Sequence, residues 1–229
     1  MTLVDTPVQR TIIRSIEDLD QIDAIQNATT EAIIWTRTLS SSIQDLLDKL
    51  TDGNMPEGQF VLKLADIRSC ISQLFTEAGH ASHQGISWLI DDIVLLAGEL
   101  GRTFESSYIR IRIETITDDA CRKFHTDNVE ARLICTYSGP GTEYGFCHNG
   151  GEPDRIFRVP TGQPILLKGM KWPGDVDRFL KHRSPPIAGR GVTRLVVAWE
   201  PVINPLEELL PIDTVLMSQR YNPTETKVD

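Results

Sequence analysis

The sequence predicts an α+β chain: a mainly helical N-terminal region followed by short antiparallel strands of the jelly-roll or related barrel type. Two observations carry this reading. The hydrophobic period changes near residue 104, from about 3.6 to 2. Beyond that point, short apolar runs alternate with Gly- and Pro-containing turns. The chain has 229 residues, 40% of them apolar and 24% charged, which suits one domain with a helical extension. The expected division is 1–104 as a helical region buttressing the sheet, 105–215 as the core and 216–229 as a polar tail.

The elements follow in order. Ser15-Ile16-Glu17-Asp18 reads as a helix start, with Ile16, Leu19 and Ile22 at helical spacing. Ala32 to Thr36 is rich in strand formers. Ser42 is placed to cap a helix carrying Ile43, Leu46, Leu47 and Leu50, and Asp52-Gly53-Asn54 breaks it. A further helix is expected over 62–76. The clearest one runs from Ile86 to Leu100, with Leu89, Ile93, Leu96 and Leu100 on one face and Gly101 ending it. Then Tyr108 to Glu114 alternates apolar and charged residues, as a half-buried strand does. Residues 132–137, 165–168 and 194–199 read as further strands. Gly139-Pro140-Gly141, Thr161-Gly162-Gln163 and Gly189-Arg190-Gly191 read as turns between them. Segment 145–164 reads as an irregular insertion of the kind that shapes a pocket mouth.

Bulk properties exclude several functions. A net charge of −9 and a pI near 5.1 argue against nucleic-acid binding, although Arg178, Lys181, His182 and Arg183 form a local basic cluster. The opening residues MTLVDTPVQR show no apolar signal segment. The run ISWLIDDIVLLAGEL is interrupted by Asp91 and Asp92 and is too short to span a bilayer. Cys70, Cys121, Cys135 and Cys147 are widely spaced, which fits reduced thiols and a cytoplasmic location.

The chemistry concentrates in His125-Thr126-Asp127. Side chains two apart on extended backbone share a face, so this pair can offer one imidazole nitrogen and one carboxylate oxygen to the same ion. His182, ahead of the last strong strand, supplies a third donor. Two His and one carboxylate make the facial triad of non-haem Fe(II) oxygenases. Arg194, on the following strand, is placed to grip a carboxylate through two parallel hydrogen bonds. Over residues 105–201, KFHTDN and KHRSPPIAGRGVTRLVVAWEP resemble the double-stranded β-helix of the Fe(II)/2-oxoglutarate-dependent oxygenases.

That resemblance implies His125, Asp127 and His182 as metal ligands and catalytic residues. It implies Arg194 as the site for the distal carboxylate of 2-oxoglutarate, with Arg190 as the alternative and Tyr137 or Thr136 as a second partner. It also implies oxidation of 2-oxoglutarate to succinate coupled to hydroxylation of a small-molecule or protein side-chain substrate. Most of the chain further resembles a bacterial family catalogued only as a domain of unknown function. Cys121, Phe124-His125-x-Asp127, Tyr137-x-Gly139-Pro140-Gly141-Thr142-Glu143, Leu167-Lys168-Gly169 and His182-Arg183-Ser184-Pro185 carry that likeness.

Competing readings are specific. Asp127 can instead cap a turn, His182 can belong to the basic surface cluster, and Arg194 can pair with Glu114 or Glu200. Arg183 sets a bulky cation beside the site. Cys121 and Cys147, near His125 and His148, would favour zinc over iron. His80 and His83 fall in a polar loop. Gly139-Pro140-Gly141 is a turn rather than a phosphate cradle, because no helix follows it. Trp172 lies in a turn from which it could reach a pocket mouth. The functions to weigh are an oxygenase, a non-catalytic metal-handling or sensing protein on the same scaffold, and an interaction module without an ion.

Overall fold

The computed structural model describes residues 13–50, 55–80, 84–147, 151–174, 178–203 and 205. The strands β1 (Ile13–Ile16) and β2 (Ala32–Trp35) flank a 3-10 helix at Leu19–Gln26. Helix α1 (Ser41–Leu50), strand β3 (Gly58–Lys63), helix α2 (Ile67–Glu77) and helix α3 (Gln84–Thr103) follow. Seven strands complete the described chain: β4 (Tyr108–Ile116), β5 (Ala131–Ser138), β6 (Glu143–Phe146), β7 (Phe157–Arg158), β8 (Pro164–Lys168), β9 (Leu180–Arg183) and β10 (Arg194–Val202).

These strands form two sheets. The larger has seven strands in the order β1-β2-β8-β5-β10-β4-β3, and the smaller has three in the order β7-β6-β9. Alternation along the central strands separates two cores. Ile109, Ile111 and Ile113 of β4, Leu133 and Cys135 of β5, and Leu195, Val197 and Trp199 of β10 join the helices in one cluster. Ile134, Val196 and Ala198 point to the opposite face and pack with Leu180, Tyr144 and Phe146 of the smaller sheet. One face of the large sheet is therefore closed by helices and the other by three strands. The chemistry-bearing residues lie on the second face.

The region before residue 104 contributes three strands as well as helices. The strand expected over 32–36 is β2. Where Ser15 was expected to start a helix, Ile13–Ile16 instead pairs in parallel with Ala32–Trp35, and the helical turn begins at Leu19. The helix expected over 62–76 begins at Ile67, because Gly58–Lys63 is taken up by antiparallel pairing along β4. Ser40, not Ser42, caps α1, its Oγ accepting from the Ile43 N–H at 3.3 Å. Gly101 does not end α3. It lies within the last turn, where an added Cβ would stand 2.6 Å from Leu64 Cδ1 and 2.9 Å from the Ser106 carbonyl. The helix stops at Glu105, whose φ is 51°. The Ser106 N–H donates to the Gly101 carbonyl and the Glu105 N–H to that of Arg102, which is a Schellman ending.

The two acids that interrupt the apolar run of α3 have different surroundings. Asp91 is exposed and pairs with Arg68 at 2.7 Å. Asp92 is buried and receives Arg37 Nη1 and Nη2 at 2.5 and 2.7 Å. No helix among the described residues is long and apolar enough to cross a membrane. His83 and the expected tail at 216–229 lie outside the described residues, as does the Asp52-Gly53-Asn54 break.

Candidate metal centre

His125 lies in the irregular connection between β4 and β5, and His182 lies in β9 of the smaller sheet. Their backbones form an isolated antiparallel bridge, each N–H donating to the other's carbonyl at 3.0 Å. This sets the imidazoles side by side across the bridge, with ring centroids 4.5 Å apart. Asp127 is held by a different contact. The N–H of Met170 donates to its carbonyl at 2.8 Å, while Gly169 and Lys171 donate to the carbonyls of Glu130 and Val129. A Cβ on Gly169 would collide with the Val129 carbonyl and stand 2.9 Å from that of Asp127. Gly169 thus permits the close approach that sets Asp127 beside the histidines.

The donor atoms of His125, Asp127 and His182 all lie within 4.8 Å of one another. His182 Nε2 is 3.1 Å from Asp127 Oδ2, and His125 Nε2 is 3.5 Å from Oδ1. His125 Nδ1 lies 2.9 Å from the Lys123 carbonyl, which can only accept. The proton therefore sits on Nδ1, and the lone pair of Nε2 faces the group. Asp127 Oδ2 is buried and makes no hydrogen bond of acceptable geometry, despite the nearby imidazole nitrogen. An orphaned buried carboxylate oxygen is costly unless something cationic meets it. A divalent ion between Oδ2 and the two Nε2 atoms would satisfy all three, so the donor set fits a metal.

The electrostatics agree. Burial raises the Asp127 carboxyl's affinity for a proton, but the adjacent histidines and the charge of Arg132 outweigh it and hold the group ionised. The Asp127 contact raises the pKa of half-exposed His125. Burial lowers that of His182.

His125 and His182 line a cavity of about 130 Å³ between the sheets, whose wall also includes Arg194, Ser184, Ile134, Val196 and Ala198. Arg194 is 1% exposed. Its Nε donates to the Pro140 carbonyl at 2.7 Å, Nη1 to Ser184 Oγ at 3.1 Å and Nη2 to Thr136 Oγ1 at 3.2 Å. Among the described residues no carboxylate forms an ion pair with it; Glu114 pairs with Arg112 and Glu200 with Arg110 and Arg132. Burial lowers the guanidinium pKa to about 10. Of its five N–H groups three are engaged, which leaves one each on Nη1 and Nη2 as an unfilled fork. The Gly139-Pro140-Gly141 turn serves this residue: Gly139 has a φ of 76°, and a Cβ there would collide with the Thr193 carbonyl and stand 3.0 Å from Arg194 Cγ.

Two expected carboxylate-binding residues are not at the site. Arg190 is exposed, in a turn closed by its N–H on the Ile187 carbonyl at 3.0 Å, and it does not line the cavity. Tyr137 is one residue from Thr136 on β5 and so faces the helices instead of the cavity. Its hydroxyl donates to Asp92 Oδ2 at 2.6 Å, and its ring meets Trp88 edge-on. Burial, then the Asp92 charge, raises its pKa. Tyr137→Phe is accordingly expected to cost stability, by about 1.5–3 kcal/mol for a hydrogen bond to a charged group, and to leave ligand affinity at the cavity unchanged. Chemical denaturation and a ligand titration on the same preparation check both halves.

The remaining candidates resolve similarly. Cys121 lines the cavity but is not among the converging donors, and buried Cys147 follows the end of β6, away from them. Arg183 lines the cavity, as expected, but its charge is engaged by Glu143, which it meets at 2.8 Å opposite Arg158 at 2.6 Å, and it stacks 4.4 Å from the Phe124 ring. Trp172 packs edge-on against Phe104 and under Lys168, away from the cavity. Sequence reasoning did not assign roles to Ser184 or Arg132. Ser184 stands two residues after His182, and Arg132 two before Ile134, so strand alternation is the signal that places both on the cavity side.

The fold is similar to that of solved dioxygenases. A dioxygenase for auxin oxidation from rice superposes with a TM-score of 0.52 at 11% identity, over 83% of this chain and 82% of that one. Arabidopsis thaliana dioxygenase for auxin oxidation 1, in complex with 2-oxoglutarate, matches with a TM-score of 0.46 at 10% identity, over 84% and 92%. A full-length Neurospora crassa protein in complex with alpha-KG matches with 0.44 at 14% identity, over 84% of each chain. The likeness to the rice enzyme establishes a dioxygenase-like fold. No curated protein sequence matches the chain. Residues 16–199 match the family described as "Protein of unknown function (DUF1826)", and the chain belongs to that family.

Proposed function

We propose that the protein is an Fe(II)/2-oxoglutarate-dependent oxygenase, a hydroxylase, on a double-stranded β-helix (jelly roll) scaffold. One observation carries the reading: a buried arginine without a carboxylate partner among the described residues lines the same cavity as the two histidines of a converged His-Asp-His group. A buried guanidinium is costly unless paired. A dianion that meets the metal at one end and Arg194 at the other compensates both charges. The fold of the rice dioxygenase and the nitrogen-and-oxygen donor set, which lacks a thiolate, support iron over zinc.

In this reading His125 Nε2, His182 Nε2 and Asp127 Oδ2 hold the ion. When bound, iron and 2-oxoglutarate supply the oxidation: the substrate C–H bond and O₂ become an alcohol while 2-oxoglutarate becomes succinate and CO₂. The chain itself binds and orients. Arg194 fixes the distal carboxylate through its two remaining N–H groups, with Thr136 and Ser184 locking the fork from either side. Val196, Ala198 and Ile134 offer the methylene carbons an apolar wall and exclude water. The substrate is a small molecule or a protein side chain, and the protein acts in the cytoplasm without a nucleic-acid or membrane partner.

Untagged protein mixed anaerobically with Fe(II) and 2-oxoglutarate is expected to show a weak visible charge-transfer band, and admission of air is expected to yield succinate. Metal uptake without band or succinate would leave the non-catalytic metal-handling reading in its place.

A further inference from the structure

We propose that Arg132 is a positioning residue of this centre, which restricts Asp127 to a single donor oxygen. The proposal rests on the oxygenase reading and concerns how the same site is kept open. A carboxylate offers two oxygens, and the torsion that turns them is broad and two-fold. An unrestrained Asp can therefore present both to one ion. Here Oδ1 is occupied by Arg132 Nη1, while Oδ2 is left without a hydrogen bond, 3.1 Å from His182 Nε2.

Arg132 is itself clamped at its other side. Its Nε and Nη2 both donate to Glu200 Oε1, at 2.8 and 2.5 Å. Glu200 Oε2 in turn accepts from Arg110 Nη1 at 2.8 Å. Arg110 and Glu200 are register partners on β4 and β10, and Arg132 follows on β5 one step beyond the Leu133 and Trp199 pair. The result is a row of alternating charge across three strands that ends on Asp127. The side chains of Arg132, Glu200 and Asp127 are 16%, 10% and 8% exposed. A planar guanidinium held on both sides cannot swing away and release Oδ1.

The consequence lies in the count of open positions. Three protein donors on one face of an octahedron leave room for a chelating α-keto acid and one diatomic molecule. A chelating Asp127 would take one more position and close the last. Arg132 thus protects an open position without touching the reacting atoms.

The test uses the full chain, Co(II) as a spectroscopic probe, and nitric oxide as a diatomic probe of the Fe(II)/2-oxoglutarate form. The wild type is expected to take up Co(II) with one visible band and to give the nitric oxide paramagnetic signal. Arg132→Met is expected to bind Co(II) with a band of altered position and intensity. Its nitric oxide affinity should fall by about 10–100-fold, the range seen when a ligand's supporting partner is lost. Arg132→Lys should recover part of this, since an ammonium can reach Oδ1 but cannot also span to Glu200. A purely structural role would lower thermal stability and leave band and nitric oxide binding as in the wild type, which overturns the proposal. Should Arg132→Met fail to fold, Glu200→Gln must shift the Co(II) band by loosening the far side of the clamp, and an unshifted band overturns the proposal equally. A wild type that takes up no Co(II) overturns the oxygenase reading and this inference together. Uptake with unaltered variants overturns this inference alone.

Discussion

Replacing Asp127 with alanine is expected to weaken Fe(II) or Mn(II) binding by more than about 100-fold, because loss of a ligand's supporting partner alone costs about 10–100-fold. Asp127 is the single anionic member of the group, and its Oδ2 is the buried oxygen that lacks a hydrogen bond. With two neutral imidazoles left, nothing offsets the charge of a divalent ion, and Arg132 then faces it unscreened. The apo fold should tolerate the change, since Arg132 keeps Glu200 through Nε and Nη2. The expected result is a metal-free melting curve close to that of the wild type, together with loss of the calorimetric signal on metal addition. Asp127→Glu keeps the charge but adds a methylene, and it should restore binding only in part. Wild-type metal affinity in Asp127→Ala would remove the centre.

The His-x-Asp pair was legible because strand alternation is a local rule. Its third member was legible only as a type of residue: His182 meets His125 through a two-residue backbone bridge between segments more than fifty positions apart. The strands β4, β5, β8 and β10 were also readable, since each is central and apolar on at least one face. The smaller sheet was not. β7 has two residues, and β6 and β9 have four each, too short to show a period. β3 was not anticipated, and the helix expected over 62–76 took in its last two residues, because its pattern of half-buried residues shows no clear alternation. The Tyr137 misassignment has the same origin. β5 is buried on both faces, so hydrophobicity could not tell Thr136 from Tyr137, and a one-residue step moves a side chain from cavity to helical core. The role of Arg132 depends on two acids, one in a loop and one on β10, and no spacing in the sequence announces that.

Arg194→Ala is expected to weaken 2-oxoglutarate binding by about 2–5 kcal/mol, the cost of truncating one partner of a buried hydrogen-bonded charge pair. That is at least about 30-fold in affinity. The substitution should leave metal uptake by the His-Asp-His group near the wild-type value, because none of the three donors contacts the guanidinium. It also removes a buried side chain and strips the Pro140 carbonyl, Ser184 and Thr136 of their donor. A loss of stability is therefore expected alongside, and it must be measured on the ligand-free protein to be separated from the binding effect. Arg194→Lys discriminates further. A lysine keeps the charge and can satisfy one oxygen, but its single nitrogen cannot present two parallel donors while also holding both hydroxyls. It should restore thermal stability more than 2-oxoglutarate affinity. The measurement is the anaerobic charge-transfer band titrated with 2-oxoglutarate for the three proteins at matched Fe(II). A titration midpoint that does not move in Arg194→Ala would detach this arginine from the cosubstrate and leave the buried guanidinium to another anion.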